Sequence, residues 1–228
     1  MEPWLLQITK LKEEADRTGE TVYLGLYHFF RAYYFYNLTL QFGDVPYSEA
    51  LKGESDGQFA PKYDSQETVF AGVLDELATA SDELSQSASK QESINGDIIY
   101  GSDAAKWQKL VNSFRLKVLL TLSHKEKVGN HDIKKEFKQI AQLPLMASNA
   151  DNGQLVYIDQ EGNRYPQFNA QWSGFYMDKT FIDRMALRKD PRLFLYALPT
   201  NEAASAGKAV TDFTAYAGGD PTVPYGEN

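Results

Sequence analysis

Apolar residues at Val22, Leu26, Phe29, Phe30, Tyr33, Tyr34, Leu38 and Phe42 recur at helical spacing. Leu24, Tyr36 and Leu40 wrap round the same cylinder, so this helix should be central and covered on several sides. It should stop at Gly43, and Pro46 pushes Val45 into extended geometry within the turn Asp44-Val45-Pro46-Tyr47. Ahead of it, Trp4 to Ala15 reads as an amphipathic stretch. After it, Asp64 or Ser65 should cap a helix whose buried stripe is Val69, Phe70, Val73, Leu74, Leu77 and Leu84, with Asp64 and Glu67 at capping-box spacing. Another begins near Ser102 or Asp103 and places Trp107, Leu110, Val111, Phe114, Val118 and Leu122 on one face. Shorter helices are predicted from Asp132 to Gln142 and from Asp178 to Leu187, bounded by Pro144 and by Asp190-Pro191. Alternating runs are scarce: Leu155, Tyr157 and Ile158, around the turn Asp151-Asn152-Gly153, predict one short strand or hairpin. The pattern as a whole predicts an all-α stack of antiparallel helix pairs joined by long irregular loops.

Composition changes this picture in three ways. With 228 residues the chain can build one large core without staples, and it has no Cys to staple with, so thiolate catalysis and thiolate-bound zinc are out. We read residues 1–228 as a single helical domain, a piece of a longer protein, with 199–228 an irregular or partly disordered tail rich in Ala, Gly, Pro, Thr and Ser. A formal net charge of −8 argues against a nucleic-acid partner, whose phosphates call for a basic surface. The apolar run Val22 to Phe42 is interrupted by His28, Arg31, Asn37 and Gln41, so it reads as a buried helix, not a membrane span.

Aromatic residues are abundant, with 14 Tyr, 13 Phe and 3 Trp. The helical stripes account for Phe29, Phe30, Tyr33, Tyr34, Phe70, Trp107 and Phe114. They do not account for Tyr165, Phe168, Trp172, Phe175 and Tyr176, which cluster among Asn163, Gln167, Asn169, Gln171 and Ser173. Flat rings interleaved with amides suit pyranose recognition: the C–H faces of the sugar stack, and its hydroxyls need paired donors and acceptors. A loop packing its rings under a helix would show the same pattern. Asp44 and Tyr47 place a carboxylate beside a ring on the first turn, and helix termination by Gly43 and Pro46 also explains that turn. Catalytic signals are weak. His28, His124 and His131 are scattered, no His-Glu-x-x-His or Gly-x-Ser-x-Gly run occurs, and the acidic turns lack calcium-loop spacing, so no metal or cofactor is expected. Carboxylates are numerous, and a glycosidase pair is defined by separation in space, not by sequence.

Several blocks also occur in a familiar order. They are Arg31 to Leu38 with Gln41 to Ala50; Pro61 to Gln66 leading into Val73 to Leu77; Asp97 to Ser102 with Lys106-Trp107; Asn112 to Lys117; and Arg188-Lys189-Asp190-Pro191-Arg192. Together they resemble the SusD/RagB-like outer-membrane nutrient-binding lipoproteins of Bacteroidetes. The resemblance implies a tetratricopeptide-like scaffold and a non-catalytic binding protein at the cell surface, held to the outer membrane by a lipid anchor that this chain lacks. It implies a glycan ligand and a TonB-dependent SusC-like transporter as partners. The ligand contacts expected here are Trp172, Tyr176, Phe175, Tyr165, Phe168 and Asn169, with Asp44 and Tyr47. Competing readings are a helical-repeat protein-interaction module, a peptide-binding member of the same family, and, last, a glycoside hydrolase.

Overall fold

The computed structural model describes residues 3–166, 176–220 and 222–223. The chain divides into two compact units, Met1–Val156 and Tyr157–Asn228.

The first unit carries α1 (Pro3–Thr18), α2 (Thr21–Phe42), a single turn α3 (Gly53–Asp56), α4 (Gln66–Lys90), α5 (Ala104–Thr121), the strands β1 (Lys127–Val128) and β2 (His131–Asp132), and α6 (Ile133–Ile140). As its all-round apolar pattern predicts, α2 is central: it packs on α4 across the largest interface and also meets α1 and α5. Gly25 permits the close approach to α4, since a Cβ there would lie 2.8 Å from Leu84 Cγ. Phe29, Phe35, Tyr36, Phe70, Leu77, Leu84, Trp107, Val111, Phe114 and Val118 form one continuous buried core, each such side chain contributing roughly 1.5–3 kcal/mol by leaving water. Two polar residues sit inside it fully bonded. Ser81 Oγ donates to Asn112 Oδ1 at 2.8 Å, and Asn112 Nδ2 donates to the Pro144 carbonyl at 3.1 Å. Such bonds are what make buried polar groups tolerable.

The helices begin where short polar side chains can take up their free N–H groups. Asp103 accepts from Lys106 N, Asp132 from Lys135 N, and Ser65 from Thr68 N. The capping box expected of Asp64 and Glu67 does not form, because the Asp64 carboxylate accepts instead from the backbone N–H groups of Tyr47 and Ser48. The expected strand at 155–158 is likewise absent. Asp151 closes a capping box with Ser148 and pairs with Lys109 at 2.8 Å, so its turn ends a short 3-10 helix and starts no hairpin. The hairpin lies instead at β1 and β2, around Gly129 in the left-handed region with φ 54°. Just past its turn, His131 is held between Asp75 at 3.2 Å and Glu136 at 2.9 Å. Among the described residues no helix is long and apolar enough to cross a membrane.

The second unit contains α7 (Lys179–Leu187), capped by Asp178, then α8 (Leu193–Tyr196) and α9 (Asn201–Ser205). Its core is small: Ile182, Met185, Leu193, Ala203, Ala215 and Tyr216. The stretch after Pro199 supplies the last three of these. Thr200 N–H donates to the Ala215 carbonyl at 2.9 Å, and the Tyr216 hydroxyl donates to the Val210 carbonyl at 2.6 Å.

Candidate functional site

In the first unit the sequence blocks meet around the turn after α2. Val45 and Asp64 exchange two backbone hydrogen bonds, and Asp44 Oδ1 accepts from Gln66 N–H at 2.8 Å, tying the turn to the start of α4. The Tyr47 ring lies edge-on to Phe35 at 4.9 Å and directly over Gly72, where any Cβ would overlap it. The Arg31 guanidinium stands 4.6 Å from the Tyr47 ring centroid, donates to the Tyr47 carbonyl, and pairs with Glu76, which also bonds His28. Burial, with the Glu76 charge adding to it, pushes the Tyr47 phenol well above its ordinary range. Asp44 and Tyr47 thus have their polar groups engaged in holding the turn.

The Asp97 block behaves similarly. Burial alone would raise the Asp97 carboxyl. Bonds from Trp107 Nε1 and from the backbone N–H groups of Ile99, Tyr100 and Ser102 outweigh it and hold the group below the usual range. Trp107 is a core residue, in edge contact with Phe29, Phe30 and Tyr100.

The second unit treats its rings differently. Tyr157 and Tyr165 pair edge to face, with centroids 5.3 Å apart and planes at 81°, and remain 44% and 47% exposed. The loop between them is closed by its own backbone: Ile158 N–H donates to the Asn163 carbonyl, Asn163 N–H donates to the Gln160 carbonyl, and Gly162 takes a positive φ of 83°. Arg164 Nε donates to Asp159 Oδ1 at 2.6 Å beside the rings. Tyr176 is 54% exposed and packs beside Gly219, whose backbone bonds Met177 and Lys179. The remaining expected contacts, Phe168, Asn169, Trp172 and Phe175, lie outside the described residues. Of the expected set, Tyr165 and Tyr176 therefore fall in the second unit and Asp44 and Tyr47 in the first. Tyr157 is not among the site residues the sequence points to, because the short apolar run 155–158 reads as a strand.

A pair of half-exposed rings within a polar loop offers apolar faces and adjacent hydrogen-bonding groups, the combination that a sugar ring needs. The model of the family described as SusD-like, starch-binding and associating with the outer membrane matches residues 1–222. The chain belongs to the SusD-like family. A SusD homologue from Bacteroides fragilis is 57% identical over 98% of this chain and 48% of its own, with a TM-score of 0.89. A Bacteroides vulgatus protein assigned to the outer membrane and to nutrient binding is 49% identical over 99% of this chain and 50% of its own, with a TM-score of 0.86. A second SusD homologue from B. fragilis is 35% identical over 91% of this chain and 44% of its own, with a TM-score of 0.79. No curated protein matches the chain. The SusD-like chain thus has the helical fold of these relatives and spans about half the length of each.

Proposed function

We propose that this SusD-like chain binds glycan nutrients by ring stacking and hydrogen bonding, without covalent chemistry, as part of a cell-surface protein held to the outer membrane by a lipid anchor. Delivery would then be to a TonB-dependent SusC-like transporter. The observation that carries the reading is the exposed Tyr157–Tyr165 pair in its polar loop, next to the ring-rich stretch that holds Phe168, Asn169, Trp172, Phe175 and Tyr176. Family membership supports the nutrient-binding and outer-membrane parts of the proposal.

Phe29, Phe35, Tyr36, Phe70, Trp107 and Phe114 are taken into the core of the first unit, whereas the Tyr157–Tyr165 pair belongs to neither core among the described residues. Stacking on one aromatic ring typically adds about 0.5–1.5 kcal/mol beyond area burial, so replacing Tyr165 by Ala should weaken oligosaccharide binding severalfold to about tenfold. Titration calorimetry against maltotetraose and other neutral oligosaccharides would measure this, with circular dichroism as the folding control. Wild-type affinity in a folded Tyr165→Ala protein would remove the pair from the site.

A further inference from the structure

Helical spacing puts Phe181, Arg184 and Met185 of α7 and its C-cap Arg188 on one side. That side, with Asp178, Asp190, Arg192 and Tyr196, lines a cavity of about 520 Å³, within the roughly 300–1,000 Å³ usual for small-ligand sites. The two carboxylates at the cavity are already engaged. Asp178 Oδ1 caps α7 by accepting from Phe181 N–H, and Asp190 is bound on both oxygens by the Arg192 guanidinium. Arg184, in the last turn of α7, and Arg188, its C-cap, have no carboxylate within ion-pair distance among the described residues, although the Arg188 charge adds to the Arg192 bonds in holding the Asp190 carboxyl down. The neighbouring Lys179–Asp183 pair belongs to the same helix but does not line the cavity. Phe181 and Tyr196 add two rings to the lining, beside Thr180. Their centroids are 6.0 Å apart, with planes tilted by 55°, and both are exposed.

We propose that this cavity binds an anionic saccharide, a sugar ring bearing a carboxylate or a sulfate, with Arg184 and Arg188 gripping the acid group and the Phe181 and Tyr196 rings holding the sugar face. The proposal rests on the glycan-binding reading above and narrows its ligand class. Guanidinium groups present paired N–H donors that match the two oxygens of a carboxylate or sulfate, and such charge-assisted bonds are the strong ones. An acidic chain with a net charge of −8 repels anions in general, so a basic cavity is where an anionic ligand can be held. Arg184 and Arg188 also lie near the C-terminal end of α7, where the helix dipole favours cations. A role limited to the helix would therefore affect stability and leave binding untouched.

The test is calorimetric titration of the chain with three tetrasaccharides: a galacturonate, a carrageenan-type sulfated galactan and neutral maltotetraose. Arg184→Gln with Arg188→Gln should weaken binding of the preferred anionic probe by about tenfold or more, the scale expected for losing a hydrogen bond to a charged group. Maltotetraose affinity should be unaffected, and the melting temperature should fall only slightly, as expected for removing two cations from the C-terminal end of a helix. Raising salt from about 0.1 M to about 1 M, which shortens the Debye length from about 10 Å to about 3 Å, should weaken the anionic probe and spare the neutral one. Preference for galacturonate or for the sulfated probe identifies the acid group. The inference is overturned if neither anionic probe binds more tightly than maltotetraose, if the double variant keeps wild-type affinity, or if inorganic sulfate binds as tightly as the sulfated sugar. Maltotetraose binding that depends on Tyr165, without any anionic preference, would sink this inference and leave the glycan reading standing. No binding to any of the three probes would sink both.

Discussion

Asp151 is a buried carboxylate whose charge is fully answered, and this makes it a sensitive residue for pH. The hydrogen bond from Lys109 Nζ, with the backbone N–H groups of Ala147 and Ser148, holds its carboxyl down at about 2. An unfolded Asp titrates near about 3.9, so the native state binds its proton less readily than the unfolded chain does. The stabilisation is therefore complete above that unfolded value and is lost as pH falls through the folded value near 2. Chemical denaturation at stepped pH should show wild-type stability dropping across that window more steeply than in Asp151→Asn. Parallel slopes would mean that the charge is unimportant. At the same scale, the sequence made the role of Trp107 legible and that of Tyr157 illegible. Trp107 lies on a helical stripe, and periodicity alone sends it to the core. Tyr157 finds Tyr165 only because Gly162 reverses the loop and Asn163 bonds back to Ile158, a path that no period records.

Among the elements, starts were easier to read than connections. A helix start depends on a side chain three residues before the N–H it accepts from, as at Asp103, Asp132 and Asp178, and that information is local. Asp64 has the same local signature but is claimed by the backbone of a turn far back in sequence, so Ser65 caps α4 instead. The hairpin is illegible for the opposite reason. Its strands are two residues each, too short to alternate visibly, and only the Gly129-Asn130 turn marked it. The packing of that first turn on α4 has a checkable cost. Gly72 sits under the Tyr47 ring, and a Cβ there would fall 2.5 Å from the phenol oxygen. Gly72→Ala must displace a ring that Phe35 and Arg31 hold in place, so it should destabilise the protein by about 1–3 kcal/mol despite alanine's better helix propensity. Urea denaturation would measure the change, and an unchanged or raised midpoint would show that the ring moves aside freely. Because Tyr47 is far from Tyr165 in sequence and lies in the other unit, glycan affinity at a temperature where Gly72→Ala is folded should not follow the loss of stability.

Both units divide their aromatic residues between core and surface: Tyr33, Phe42, Phe59 and Tyr63 are exposed in the first and Tyr216 is buried in the second, but the buried rings lie mostly in the first. Phe29, Phe35, Tyr36, Phe70, Trp107 and Phe114 are buried in the core of the first unit, whereas Tyr157, Tyr165, Tyr176, Phe181 and Tyr196 remain exposed in the second. Composition could count these rings without sorting them, since sorting depends on which ones a large core can absorb. The described residues of the first core all lie before residue 157, and those of the second all lie after it. The first core contains the interlocked α1, α2, α4 and α5, while among the described residues the second rests on six buried residues and helices of nine residues or fewer. Stability grows with the share of surface a chain can bury, and a domain of about 150 residues buries roughly 70% of it. A chain ending at Val156 should therefore keep the helical circular dichroism of residues 1–156 and melt in one cooperative transition. The same truncated protein should bind neither maltotetraose nor the anionic tetrasaccharides, because the exposed ring pairs and the arginine-lined cavity lie in the part removed. A broad, non-cooperative melt would show that the first core needs the second unit, and retained saccharide binding would move the ligand site into the first.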